Sequence, residues 1–289
     1  MLIKNKILVS VLVVLSFLSV TSVSAFSISP LKYTISLDIG DSQDLMVTVK
    51  NDSNTDKEYQ AVIVGVQQDN QGRPIFKSNS DVAENWVKFK NEKTILKSNE
   101  NKDFVFTISI PKNTPPGAHY LGLGAQENNN QNIGGRLMTI VVLQVAGIAN
   151  EALALDQFYP VKKYFFNKNL VYFLQVKNIG NIDLSLKANV QTYDFRDKII
   201  DSSPINLGNK LFAQSNRSAE IHPDTISKLI WPGRYRSIIV INYGLTNQQI
   251  IGSINFWYWP VWFLCLVGVV IVLILLFFIY KKNKHEVVE

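Results

Sequence analysis

The chain has 289 residues, 47% hydrophobic and 18% charged, with a formal net charge of +6 and one cysteine. That cysteine, Cys265, lies inside the longest apolar run, so no disulfide braces the rest; apolar cores must, and a chain of this length can supply two. Setting aside Lys4, Lys6 and a tail whose three lysines exceed its two glutamates by one leaves +3 between the ends. Those charges are mixed in sign and form no basic stripe, which argues against nucleic acid as a partner.

Residues 1–25 read as a secretory signal peptide. Lys4 and Lys6 precede an apolar stretch from Ile7 to Val20, and Val23-Ser24-Ala25 is a small-residue cleavage site ahead of Phe26. An uncleaved anchor is the alternative. No cysteine follows for a lipid anchor.

Residues 26–148 and 149–257 each read as strands throughout. Period-two alternation is plain in LMVTVKN (45–51), FVFTISI (104–110), VYFLQVKN (171–178) and SIIVINYG (237–244). Gly40-Asp41, Asn70-Gln71-Gly72, Pro115-Pro116-Gly117 and Pro232-Gly233 punctuate them as turns. No helical period lasts more than about two turns. The expected fold is all-β: two tandem immunoglobulin-like sandwiches, then one transmembrane helix.

The two blocks echo one another. VKNDSNTD (49–56) returns as VKNIGNID (176–183), and PPGAHYLGL (115–123) as WPGRYRSII (231–239), in the same order. Asn and Gly accept positive φ, so the first echo reads as a hairpin between two early strands; the second turns the chain into a late one.

Residues 260–280 form the apolar span. Val261 to Tyr280 carries no charge, and about 20 apolar residues suffice to cross the hydrocarbon core. Trp257, Tyr258, Trp259 and Trp262 mark one interface, and Lys281, Lys282 and Lys284 the other. Cationic flanks stay on the cytoplasmic side, so the sandwiches are expected outside and the tail, 281–289, inside. An exported domain without paired cysteines points to a prokaryotic envelope.

No residue set proposes catalysis, a cofactor or a metal. His119 reads as a fold residue and His222 as a loop residue, and neither has a second ligand at metal spacing. Asp194 and Asp197 in YDFRDK (193–198) read as a solvated hairpin. The candidates are surfaces. QENNNQNIGGR (126–136) is an amide-rich loop in which Asn128, Asn129, Asn130, Gln131 and Asn132 could match sugar hydroxyls, or an idle hairpin. Trp86 is either a sugar-stacking platform or a core residue. Open sandwich edges could also accept a partner's strand.

FSISPLKY (26–33), GDSQDLMVTVKNDSN (40–54), NWVKF (85–89) and ENKDFVFTISIPKNTPPGAHYLGL (100–123) resemble the N-terminal domain of WxL-interacting surface proteins of Gram-positive bacteria. More distantly they resemble the immunoglobulin-like domain of pilus chaperones. The first resemblance implies a peptidoglycan-binding first domain and a second domain that contacts host or partner proteins; the second block here is shorter than in that family. The expectation is a single-pass surface protein that binds cell-wall polymer or another exported protein without catalysis. The alternatives are a membrane-tethered chaperone capturing strands by edge pairing, and a passive spacer in a surface complex.

Overall fold

The computed structural model describes residues 26–90, 92–129, 132–166, 170–208, 210–223 and 229–286. The expected signal peptide lies outside them. The fold is all-β with one C-terminal apolar helix. Contacts divide it into two compact units. Residues 26–66, Phe76–Thr114 and His119–Leu143 form the first; Gln67–Ile75, Pro115–Ala118 and everything from Gln144 form the second.

Ten strands build the first sandwich: β1 (Phe26–Ser29), β2 (Lys32–Leu37), β3 (Ser42–Asn51), β4 (Lys57–Gln68), β5 (Pro74–Lys77), β6 (Val87–Phe89), β7 (Lys93–Leu96), β8 (Asn101–Ser109), β9 (Gly117–Asn129) and β10 (Asn132–Val145). One sheet runs β1-β3-β8-β6; the other runs β2-β10-β9-β4-β5, with β7 also on β4. The alternation read from the sequence sets the core. Leu45, Val47 and Val49 of β3 and Phe104, Phe106 and Ile108 of β8 point inward with almost no exposure. Leu121, Leu123, Val141 and Leu143 of the other sheet are equally buried. Each such side chain contributes about 1.5–3 kcal/mol relative to exposure.

The second unit pairs a three-stranded sheet with a five-stranded one. The first runs β11 (Leu153–Pro160), β13 (Tyr172–Asn178), β16 (Asn216–Ile221). The second runs β12 (Tyr164–Phe165), β18 (Gln248–Tyr258), β17 (Gly233–Tyr243), β14 (Leu186–Tyr193), β15 (Ile199–Ile205). Tyr172, Leu174 and Val176 of β13 face Tyr235, Ile239, Ile241 and Phe256 across the core. After Pro260, α1 (Val261–Glu286) begins at once, and the part of it from Val261 to Tyr280 has a mean hydropathy of 3.3 and none of it is buried.

The Val-Lys-Asn echoes are not hairpins. β3 and β4 lie in different sheets, as do β13 and β14, so each echo is a corner at which the chain crosses the sandwich. The asparagine is the reason. Asn51 is fully buried, and its Nδ2 donates to the carbonyls of Thr55 (2.8 Å), Leu96 and Lys97 (both 3.1 Å). Asn178 is also fully buried and donates to Ile182 (2.8 Å), Leu211 (3.1 Å) and Phe212 (3.0 Å). A local turn would forgo these buried bonds to a distant loop, at about 0.5–1.5 kcal/mol each. The second echo behaves as read: Gly117 opens β9 and Gly233 opens β17, with Tyr120 and Tyr235 buried just inside.

Candidate interaction surfaces

The amide-rich segment is mostly strand. β9 extends to Asn129 and β10 resumes at Asn132, where a long loop was expected; Asn130 and Gln131 lie outside the described residues. Pairing with β4 overrides the weak strand preference of amide residues: Glu58 sits opposite Asn128 and Gln60 opposite Gln126. Exposed Asn128 donates to Glu58 Oε1 at 3.0 Å, and Arg136 grips Gln126 Oε1 through two nitrogens. The side chains of Asn129 and Asn132 are outside the description.

Trp86 closes a short 3-10 turn, Val82–Trp86, that the alternation did not reveal, and NWVKF is therefore a strand only from Val87. Its half-buried ring packs edge-on against His119 at 4.6 Å. Asp81 caps the turn, accepting from Ala83 N while Glu84 returns to the Asp81 N–H. Its other oxygen accepts from Tyr120 N, and His119 Nδ1 lies 2.8 Å from the first. Burial opposes ionisation of this carboxyl, but the His119 contact and the two backbone donors outweigh it and hold its pKa below the usual range. With both oxygens engaged, Asp81 and His119 tie the turn to β9.

Asp194 is likewise occupied. It accepts from the N–H of Lys198 and Arg196 across the β14–β15 turn, which lowers its pKa; the hairpin is there, with Asp197 exposed as expected but Asp194 buried under its own turn. Among the described residues no group of three or more His, Cys, Asp or Glu could hold a metal.

Sheet edges are the remaining candidates, and they differ. The strands that end each sheet of the second unit carry guards against strand pairing, although β12 covers only Trp257 and Tyr258 of β18 and leaves the outer side of Gln248–Phe256 without a strand partner among the described residues. β11 has a register shift after Leu155 and ends on Pro160; β15 contains Pro204; β12 is two residues long. Arg217 of β16 points inward, 3% exposed, and donates to Leu207 O. In the first unit β1, β5, β6 and β7 are three or four residues each, and β5 opens on a proline.

Strand β2, KYTISL, is the long strand that ends a sheet of the first unit: six alternating residues with no proline and one charge, the exposed Lys32 at its start. Leu31 O accepts from Ile140 N of β10. By parity the odd residues turn their backbone groups to β10, and Lys32, Thr34 and Ser36 turn theirs outward. Exposed Leu31, Ile39 and Met46 stand nearby, and Tyr33 Oη donates to Met46 O at 2.6 Å. No contact in the sequence pattern distinguished this edge, because an edge strand and a central one alternate alike.

No protein-family model matches the chain, and no curated protein matches it. Solved structures do. The chaperone–tip adhesin complex of CFA/I fimbriae is 12% identical, with a TM-score of 0.44, over 80% of this chain and 98% of that one. The class 5 fimbriae chaperone CfaA is 12% identical with a TM-score of 0.40, covering 82% and 100%. The CsuC–CsuE chaperone–tip adhesin complex of Acinetobacter baumannii is 14% identical with a TM-score of 0.39, covering 68% and 91%. At such identity these likenesses speak to the fold alone. They accord with the more distant of the two resemblances; nothing in the comparisons supports the resemblance to WxL-interacting proteins or a peptidoglycan-binding role.

Proposed function

We propose that this protein is a membrane-anchored, non-catalytic binding protein whose β2 edge accepts an extended segment of another exported polypeptide. The open edge of β2, six residues long and free of proline, carries the reading. Its three outward residues offer three N–H and three C=O groups, each bond worth about 0.5–1.5 kcal/mol net. Apolar Leu31, Ile39 and Met46 lie close by to meet alternate side chains of the added strand. The exposed helix Val261–Tyr280, twenty residues long, supplies the anchor, with the sandwiches on the outer face of an envelope membrane.

A photo-crosslinking residue placed at Thr34 in the full chain, in cells exporting their normal proteins, tests it. The expected adducts disappear when Ser36→Pro deletes one outward donor, a change that leaves the fold intact because an edge strand tolerates proline where its N–H faces solvent. Adducts unchanged by Ser36→Pro would reject pairing at this edge.

A second reading, polymer binding at the amide-rich hairpin, is favoured by the polar ladder of Asn128, Glu58, Gln126 and Arg136. Retention of the detergent-solubilised full chain on purified wall polymer in low salt, lost in Asn128→Ala with Gln126→Ala, would support it. No retention counts against it.

A further inference from the structure

The second unit ends, where it meets α1, in a collar of exposed aromatic and apolar side chains among lysines and arginines. The register sets Gly233 opposite Tyr258 and Tyr193 opposite Arg236, so the β14–β15 turn, the segment before β17 and the start of the helix share one end of the sandwich. There is no spacer. Trp257 N donates to Lys163 O and Trp259 N to Phe165 O, which fixes the chain through the last residue before Pro260. Phe263 N already bonds Pro260 O.

The helix sets the depth. Twenty apolar residues at 1.5 Å each make about 30 Å, the thickness of the hydrocarbon core. Val261 therefore stands at its boundary. Trp231, on the segment before β17, packs on Trp262 in the first helical turn at 6.1 Å, so it stands at the same depth. Phe195, Ile199, Ile230 and Trp231, each more than half exposed, line a cleft of about 330 Å³ together with Arg196 and Lys198.

The charge is one-sided. Residues 160–166, 193–199, 230–236 and 257–262 hold six lysines and arginines against Asp194 and Asp197. Asp194 is engaged by its own turn and lies 3.5 Å from Arg196 Nε, whose side chain stays largely exposed, and Asp197 pairs with Arg236 at 2.8 Å. Arg196 lies over the Phe195 ring at 5.0 Å and Lys163 near the Tyr164 ring at 5.9 Å. Amphipathic rings beside snorkelling cations are what the headgroup layer favours.

From this geometry we infer that the collar is a lipid-binding surface: Phe195, Ile199, Ile230 and Trp231 enter the headgroup layer around α1, and Arg196 and Lys198 bind phosphates of anionic phospholipid. The occupant is the bilayer because the cleft is continuous with the helix that crosses it. This rests on the membrane-anchored reading above. Its consequence is mechanical: the second unit is held against the membrane instead of swinging on its helix.

The test uses the full chain carrying Cys265→Ala and one new cysteine, labelled with a polarity-sensitive fluorophore. The sites are Phe195→Cys, Ile230→Cys, Leu245→Cys and Leu273→Cys. Leu245, 93% exposed, sits in the β17–β18 turn, about 35 Å along eleven-residue strands from the collar. The protein is reconstituted in phosphatidylcholine vesicles with and without phosphatidylglycerol, and nitroxide lipids quench at headgroup or mid-chain depth. Labels at 195 and 230 are expected to lose fluorescence to the shallow nitroxide, the label at 273 to the deep one, and the label at 245 to neither. Phosphatidylglycerol is expected to strengthen shallow quenching, and Arg196→Glu with Lys198→Glu to abolish that gain; both side chains are exposed, so the fold survives.

Unquenched 195 and 230 with a quenched 273 would overturn the collar and leave the anchor standing. An unquenched 273 would overturn the anchor itself. Protection of 195 and 230 only at high protein density would show a second copy in the cleft and reject the lipid. A phosphatidylglycerol effect that survives the double charge reversal would reject the phosphate contacts.

Discussion

The corner at Asn51 and the corner at Asn178 perform one task with different supports. Both asparagines bridge the crossover to a distant loop, at Leu96-Lys97 in one unit and Leu211-Phe212 in the other. The loops then turn alike, through Asn99 (φ 61°) and Gln214 (φ 59°). Around Asn51 the backing is made of side chains. Its Oδ1 accepts from Ser53 N, from Ser53 Oγ at 2.6 Å and from Tyr59 Oη at 3.3 Å, and Ser98 Oγ holds Ser53 O. Around Asn178 the backing is mostly main chain, with one side chain, Gln214, whose Nε2 donates to Ile179 O at 3.2 Å and Gly180 O at 2.8 Å. Gly180 replaces Ser53, and Ile179 N and Gly180 N both donate to Ala152 O while Asn181 N donates to Asn150 O. An amide plug with several donors and acceptors is hard to replace; what surrounds it is free to change.

Four substitutions test this, from the largest effect down. Asn51→Ala and Asn178→Ala each remove three hydrogen bonds from a buried amide, at about 1 kcal/mol each, and each is expected to cost about 3 kcal/mol or more in a urea titration. Asn51→Ala should cost more, because the buried Tyr59 hydroxyl also loses its acceptor. Equal small losses would mean that the corners hold themselves. Next comes Gly180→Ala. A Cβ there would lie 2.2 Å from Asn150 O, a backbone atom that cannot swing aside, so a cost of about 1–3 kcal/mol is expected. A neutral Gly180→Ala would remove the distinction between the two corners.

Tyr172→Phe and Tyr59→Phe should each cost about 1 kcal/mol at neutral pH through a lost buried hydrogen bond, that between the Tyr172 and Ser237 hydroxyls in the first case and that from Tyr59 to Asn51 Oδ1 in the second. They also carry a pH signature. Burial pushes the Tyr59 hydroxyl up to about 12 and raises that of Tyr172 as well. The unfolded chain ionises near pH 10 while the folded one holds its protons. The stability these groups contribute is thus complete below pH 10 and falls as pH rises towards 12. Tyr235 and Tyr258 are raised too, all three in the second unit, which should therefore melt first in alkali; thermal circular dichroism at pH 9 and 11, compared with each Tyr→Phe variant, reads this out. The smallest effect is expected from Ser53→Ala, about 1 kcal/mol or less by the same titration, since water can replace the hydroxyl of half-buried Ser53.

Much of the fold was legible. The alternating runs became β3, β8, β13 and β17 with the expected faces inward, and the uncharged run became one exposed helix. Three features were not. The Asn corners look like hairpins because alternation on both flanks is the same whether the strands pair or lie in opposite sheets; only the burial of Asn51 and Asn178 separates the cases. The 3-10 turn at Val82–Trp86 is shorter than any period can register. The amide run reads as a loop on residue preference, yet β4 pairs with it through Asn128. The candidate site was less legible still. Which strand ends a sheet is a property of order in space, and KYTISL gives no sign that β10 lies on one side of it and solvent on the other.

Amide hydrogen exchange along β2 tests the central claim most directly. In the full chain alone, the N–H groups of Lys32, Thr34 and Ser36 should exchange fast while those of Tyr33, Ile35 and Leu37 are slow. In complex with the polypeptide crosslinked through Thr34, the three fast amides should slow together. Fast exchange of all three in the complex would contradict strand addition at this edge.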